Sequence, residues 1–201
     1  MARYTGPKNK LARKFGEDLG LKTNALKLAK RLNILPGQHG RKGRKKVSEY
    51  GKQLSEKQKV KMMYGLMEKQ FHKIYEVATK TPSATGFALL RLLERRLDNV
   101  VYRLGFAPTR PAARQLVSHG NVTVNGKKVT IPSYRLQLND IVALSDKATK
   151  IPVVADLLKE KTNVPQWLEK KSAVGKVVRY PERDEIDAGV NEQLIVEFYS
   201  R

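Results

Sequence analysis

The sequence predicts an α+β protein: a mostly helical N-terminal domain, then a small domain of helices packed on an antiparallel sheet. Three observations carry this expectation. Apolar residues recur at three- and four-residue spacing from Val60 to Ala78, and leucines crowd residues 89–97, as in helices with one buried face. Val122, Val124 and Val129 flank Asn125-Gly126, the dipeptide best suited to a type I′ hairpin, whose two central residues need positive φ. Ile141–Leu144 follows the turn residues Asn139-Asp140 as a further strand.

Taken in order, short helices are expected near Lys8–Phe15 and over 24–32, each too poor in apolar residues to hold a core alone. Pro36-Gly37 ends that pattern, and Gly40 and Gly43 keep the following loop open. Residues 48–80 are helical in pattern. Ser48 caps one start, Ser55 with Gln58 reads as a capping box, and Gly65 marks a break. Val60, Met63, Tyr64, Met67, Phe71, Ile74, Tyr75 and Ala78 form the core stripe, with Lys52, Lys57, Lys59, Lys61, Lys69 and Lys73 on other faces. Thr81-Pro82-Ser83 closes this segment. The leucine-dense helix follows, with Arg91 and Arg95 on its polar side, and Asp98 reads as the cap of a short helix ended by Gly105.

The stretch 110–128 is the candidate binding element. Thr109 is placed to N-cap a helix, Pro111 fits its first turn, and Gly120 falls where a left-handed C′ residue belongs. Ala113, Leu116 and Val117 make its apolar stripe, while Arg110 and Arg114, four apart, share a side with Ser118. Lys127 and Lys128 follow the hairpin turn directly. After it, Leu136-Gln137-Leu138 leads to the strand Ile141–Leu144. Val164-Pro165-Gln166-Trp167-Leu168 reads as an apolar clip whose Trp docks on the core. The expected domains are 1–95, 96–157 and a C-terminal extension over 158–201 that packs on the first.

Charge narrows the function. The 201 residues hold 40 Lys and Arg against 19 acids, a net +21. Self-repulsion on that scale opposes a compact state unless a polyanion relieves it, and nucleic acid is the first candidate, ahead of an anionic membrane. Residues 1–46 carry fourteen Lys and Arg against Glu17 and Asp18, a net +12. Within them the run RKGRKK (41–46) reads as an arm that orders on RNA, because phosphate contacts offset its ordering entropy. From Pro181 the sign reverses to a net −4, so this tail is expected to avoid RNA and to dock on the basic N-terminal helices or on a neighbouring protein.

Several classes are disfavoured. No apolar run approaches the length of a transmembrane helix, and MARYTGPKNK has no apolar core of a secretory signal. With no cysteine there is no disulfide, thiol nucleophile or Cys-ligated zinc. His39, His72 and His119 are too scattered for a metal site. No metal, cofactor or small-molecule substrate is expected, and a cytoplasmic location is.

Residues 96–129 (RLDNVVYRLGFAPTRPAARQLVSHGNVTVNGKKV) resemble the small RNA-binding domain named after ribosomal protein S-four. LPGQHGRKGRKKVSEYGKQLSEKQKVKMMYGLMEKQF, TGFALLRLLERRLDNVVYRLGFAPTR, ARQLVSHGNVTVNGKKV, VPQWL and NEQLIVEFYSR resemble successive blocks of the bacterial small-subunit S-four family itself. The resemblance implies a protein that binds 16S ribosomal RNA, nucleates small-subunit assembly, and lies near the mRNA entrance beside small-subunit proteins three and five. It also implies a part in translational accuracy and, in some bacteria, repression of its own operon. The family's RNA-binding residues then fall on Arg110, Arg114, Gln115, Ser118, His119, Asn125, Lys127 and Lys128, and its loop near the mRNA entrance on Arg41, Lys42, Arg44, Lys45 and Lys46. Arg3, Lys8, Lys10 and Arg13 extend the expected RNA contacts. Some members carry paired cysteines for zinc after the Gly-Pro step; here Asn9 and Ala12 follow Gly6-Pro7, which places the chain in the zinc-free branch.

The same domain is attached to pseudouridine synthases, whose catalytic Asp lies in an Arg-Leu-Asp motif, and Arg96-Leu97-Asp98 matches it. In those enzymes the catalytic domain is separate. Here the tripeptide opens the binding domain, and no phosphate loop, catalytic triad or metal constellation accompanies it. The expectation is a non-catalytic RNA-binding structural protein.

Overall fold

A computed structural model of the chain describes residues 4–42, 46–160, 162–186 and 189–200. It divides into two compact units, 1–86 with 189–201, and 87–188.

The first unit is helical. Helix α1 (Lys8–Phe15) ends at Gly16, whose φ of 78° supplies the left-handed cap, and α2 (Ala25–Ala29) starts at Asn24, whose side chain accepts from Lys27 N–H. A single 3-10 turn (Gly40–Lys42) precedes α3 (Glu49–Met63), which Ser48 caps through Gly51 N–H. Gly65, at φ 65°, turns the chain into α4 (Glu68–Thr79). Ser55 lies inside α3 rather than at a helix start, so it does not form the expected capping box. Of the core stripe every member is buried except Met67, which precedes α4 and is 41% exposed. The last helix of the chain, α10 (Glu192–Tyr199), lies along α3 with Ile195 fully buried.

Lys57, Lys59 and Lys61, off the core stripe, are nonetheless buried, each against a carboxylate. Lys59 reaches Glu17 at 2.8 Å and the backbone oxygen of Gly189, and so ties α3 to the segment before α10. Lys57 and Lys61 hold the two oxygens of Glu68 at 2.7 and 2.8 Å, and Tyr199 on α10 donates to the same carboxylate at 2.8 Å. The Lys57 ammonium also lies 4.4 Å from the centre of the Phe198 ring.

Helix α5 (Thr85–Glu94), which opens the leucine-dense run, belongs to the second unit from Phe87 on. The second unit holds α6 (Leu97–Arg103), α7 (Arg110–Ser118), β1 (Val122–Val124), β2 (Lys127–Lys128), β3 (Ile141–Leu144), α8 (Asp146–Thr149), α9 (Pro152–Lys159), β4 (Leu168–Lys171) and β5 (Val174–Val177). The five strands form one antiparallel sheet in the order β2-β1-β3-β5-β4. Alternation sends Val122, Val124, Val142, Leu144, Leu168 and Val177 inward, where they join Val100, Leu104, Phe106 and Val117 in one core. Trp167 is 1% exposed in that core, as its position in an apolar clip predicts.

One expectation changes here. The extension 158–201 is not one body: 168–177 completes the sheet of the second unit, and only 189–200 joins the first. Leu136-Gln137-Leu138 forms no strand; Arg135 alone makes an isolated bridge with Arg96, and Leu136 turns into the core.

Candidate nucleic-acid interface

Local chemistry builds the α7–hairpin element. The Thr109 hydroxyl accepts from Ala112 N–H, Pro111 occupies the first turn, and Gly120 takes φ 72° just past the helix. Asn125 and Gly126, at φ 49° and 78°, make the type I′ turn. The Asn125 side chain locks it: Nδ2 donates to Asp140 Oδ1 at 2.8 Å, and Oδ1 accepts from Ile141 N–H at 2.9 Å. Asp140 in turn accepts from Gln137 N–H at 2.7 Å. The hairpin tip is thus braced on the turn that leads into β3.

Lys128 folds its stem over Gly120, filling the space a Cβ would occupy there. A cation is thereby held at the C-terminal end of α7, where the helix dipole favours it. Gln115, Ser118, His119, Lys127 and Lys128 are all exposed, and Ser118 Oγ donates to Arg114 O at 2.8 Å. The C-terminal end of α7 and the hairpin therefore form one basic, hydrogen-bonding surface.

Arg110 and Arg114 do not join it. They are 8% and 7% exposed, a correction to the expected phosphate-facing helix edge. Arg110 Nε donates to Asn99 Oδ1 at 2.9 Å, and its guanidinium lies 4.8 Å from the centre of the Tyr102 ring. Asn99 donates to Glu94 Oε2 at 2.7 Å, and Arg103 grips the same carboxylate with bonds of 2.9 and 3.0 Å. Asp98 accepts from Arg96 at 2.7 and 3.1 Å and from Arg114 at 3.3 Å. Asp98 is therefore no helix cap: Arg96 holds the N-cap position of α6, and the buried Asp98 carboxylate sits between two guanidinium groups. This network fixes α7 on α6 and so aims the exposed end of α7. Its acidic members, Glu94 and Asp98, were not among the candidate residues. The signal for them was two carboxylates four apart inside the arginine-rich run RLLERRLDNVVYR.

In the first unit, Lys10, Arg41, Lys42 and Lys46 are exposed and Lys8 is half-buried. Arg13 is committed within the unit, donating to the backbone oxygens of Ile34 and Leu35 at 2.8 and 2.9 Å. Arg3, Arg44 and Lys45 lie outside the described residues. Among the described residues no group of His, Asp and Glu is placed to hold a metal ion, and no helix is long and apolar enough to cross a membrane.

Two family models match the chain. Residues 3–94 match the ribosomal protein S4/S9 N-terminal domain, and residues 95–142 match the S4 domain. Curated relatives align over the whole of both chains. They include the small ribosomal subunit protein uS4 of Brevibacillus brevis at 50% identity, that of Akkermansia muciniphila at 52% and that of Aquifex aeolicus at 51%. Two family models in the expected order, full-length relatives and a braced basic surface at the S4 domain agree, and the chain belongs to the family of small ribosomal subunit proteins uS4.

Proposed function

We propose that this protein is a structural constituent of the small ribosomal subunit and binds 16S ribosomal RNA directly. One observation carries the reading: end-to-end similarity to proteins named as small ribosomal subunit protein uS4. The net charge of +21 supplies the physical reason, since each Lys or Arg set on a phosphate releases a counterion. Gln115, Ser118, His119, Lys127 and Lys128 form the contact surface of the S4 domain. Lys8, Lys10, Arg41, Lys42 and Lys46, with Arg3, Arg44 and Lys45, form that of the N-terminal part. Arg110, Arg114 and Asn125 act by holding the first surface in shape, and Arg13 by tying α1 to the loop before Gly40.

On this reading the protein nucleates assembly of the subunit. The loop containing Arg41–Lys46 lies near the entrance of the mRNA, beside small-subunit proteins three and five, and contributes to accuracy of decoding. Repression of its own operon follows if its messenger copies the ribosomal RNA shape. The chain is not an enzyme: its relatives are named as ribosomal proteins, and the Arg96-Leu97-Asp98 carboxylate that matched a synthase motif is buried between arginines.

The test is binding of the full chain to protein-free 16S ribosomal RNA across a salt series. Affinity should fall steeply, by up to about 0.9 log units per log unit of salt for each phosphate contact, by analogy with duplex DNA. Lys127→Gln should lower the slope by about one without changing the melting temperature. A flat salt profile would refute the reading.

A further inference from the structure

Arg96 and Arg135 face each other across an isolated antiparallel bridge. Leu97 N–H donates to Tyr134 O at 2.9 Å and Leu136 N–H donates to Arg95 O at 3.0 Å, so the bridging residues form the non-hydrogen-bonded pair. That is the arrangement in which opposing side chains stand closest, and like charges placed there repel. Asp98 neutralises Arg96 with two hydrogen bonds. Among the described residues no carboxylate does the same for Arg135 or for Arg95.

Arg95 is also held rigidly. Its Nε donates to Leu136 O at 3.0 Å, and its guanidinium lies 4.2 Å from the centre of the Tyr180 ring. Among the described residues its other guanidinium nitrogens have no hydrogen-bond partner, while Arg135 is exposed beside them. Partial desolvation, with Arg95 and then Arg96, pushes the Arg135 guanidinium below its ordinary value. A guanidinium stays charged at any pH of interest, so this repulsion persists in the free protein and an anion is what relieves it. The cluster belongs to neither set of expected RNA contacts. It lies at the start of the S4 domain, at the bridge rather than on α7 or the hairpin.

We propose that Arg95 and Arg135, with Arg96 behind them, form a preorganised site for one phosphodiester group of RNA. A guanidinium fork clamped by a backbone oxygen and an aromatic ring loses little freedom on meeting a phosphate oxygen. The site positions the backbone and reads no base. It rests on the RNA-binding reading above only for the source of the phosphate.

The experiment compares wild type, Arg135→Gln and Lys147→Gln, the last removing an exposed charge on α8. Thermal melts in sulfate against chloride at equal ionic strength read the site itself. Binding to protein-free 16S ribosomal RNA reads its source. Sulfate should raise the melting temperature of wild type and Lys147→Gln more than that of Arg135→Gln. Arg135→Gln should weaken RNA binding roughly fivefold and reduce the salt slope by about one, with Lys147→Gln close to wild type. Equal sulfate stabilisation in all three proteins overturns the site. A sulfate difference with unchanged RNA affinity and slope in Arg135→Gln makes it a site for a free anion and overturns the RNA assignment. Wild type that fails to bind RNA at all refutes the general function instead, while the sulfate arm still decides whether the anion site exists.

Discussion

Arg114 on α7 donates at 3.3 Å to Asp98 Oδ2, the oxygen that already accepts from Arg96 Nη2 at 2.7 Å. A carboxylate buried on α6 thus takes two cations, and α7 is anchored through one of them. Basic residues on a helix of an RNA-binding domain invite the assumption that they meet phosphate, yet these are the ones the fold retains for itself.

Arg114→Ala should therefore destabilise the free protein by about 3 kcal/mol, because removing one partner of a buried pair leaves charge poorly compensated. Arg110→Ala should also lower stability, since it strips the Asn99 amide oxygen of a donor. Urea unfolding measures both. An RNA affinity that falls in step with stability identifies positioning residues. A large affinity loss at unchanged stability would instead place the guanidinium groups on RNA.

Glu68 gives the acid limb of stability. Burial raises its pKa, but hydrogen bonds from Lys57, Lys61 and Tyr199, with the charge of Lys61, outweigh that and hold it at about 2, below its ordinary value of 4.5. A depressed carboxylate stabilises the fold above its unfolded value and loses that contribution as pH falls from about 4.5 towards 2. Because the side chain is 45% exposed, solvent screening limits the contribution to roughly 1 kcal/mol. Tyr199 has the opposite sense. Burial, then its hydrogen bond to Glu68, raises its phenol, so its contribution is present below the ordinary tyrosine value and is lost as pH rises above about 10. Glu68→Gln should lower the urea midpoint at pH 7 and flatten its decline between pH 4.5 and 2. An acid limb as steep in Glu68→Gln as in wild type would show that other carboxylates set it.

Asn125 combines two roles that substitution separates. Asn125→Gly keeps the positive φ but loses the bonds to Asp140 and Ile141, whereas Asn125→Ala loses both. The Gly variant should be destabilised by about 1–2 kcal/mol and the Ala variant by roughly 1 kcal/mol more, read from thermal melts. Equal losses would mean that the hydrogen bonds alone hold the turn.

What was legible in the sequence was local. Both ends of α7 follow from Thr109, Pro111 and Gly120, and the hairpin from Asn125-Gly126, because caps and turns act within a few residues. The β4–β5 pair was missed. Leu168-Glu169-Lys170-Lys171 has a single apolar residue, and β5 is paired with β3 more than thirty residues upstream, through Ile141↔Lys176 and Val142↔Gly175. The fate of the cations was hidden for the same reason. Arg110 and Arg114 meet Asn99 and Asp98 across 11 and 16 residues, and Lys57 and Lys59 meet Glu68 and Glu17 from other helices or loops. Residue type announces a charge, but whether it faces water or a buried carboxylate is decided by tertiary packing.

Gly175 shows how tightly that packing is drawn. It is buried in β5 between Val142 and Lys170, and a Cβ there would stand 2.5 and 2.6 Å from the two methyl carbons of Leu104. Leu104 directly follows α6 and is fully buried, so it has little room to yield. Its methyls close on the sheet only because β5 presents bare backbone at that point. Gly175→Ala should cost about 1–3 kcal/mol in urea unfolding through overpacking. Leu104→Ala alone should cost about 2–5 kcal/mol through the cavity it leaves. The double variant should be less destabilised than the two added together, because the new methyl then enters the vacated space. Strict additivity would show that the obstacle at 175 is the strand backbone and not Leu104.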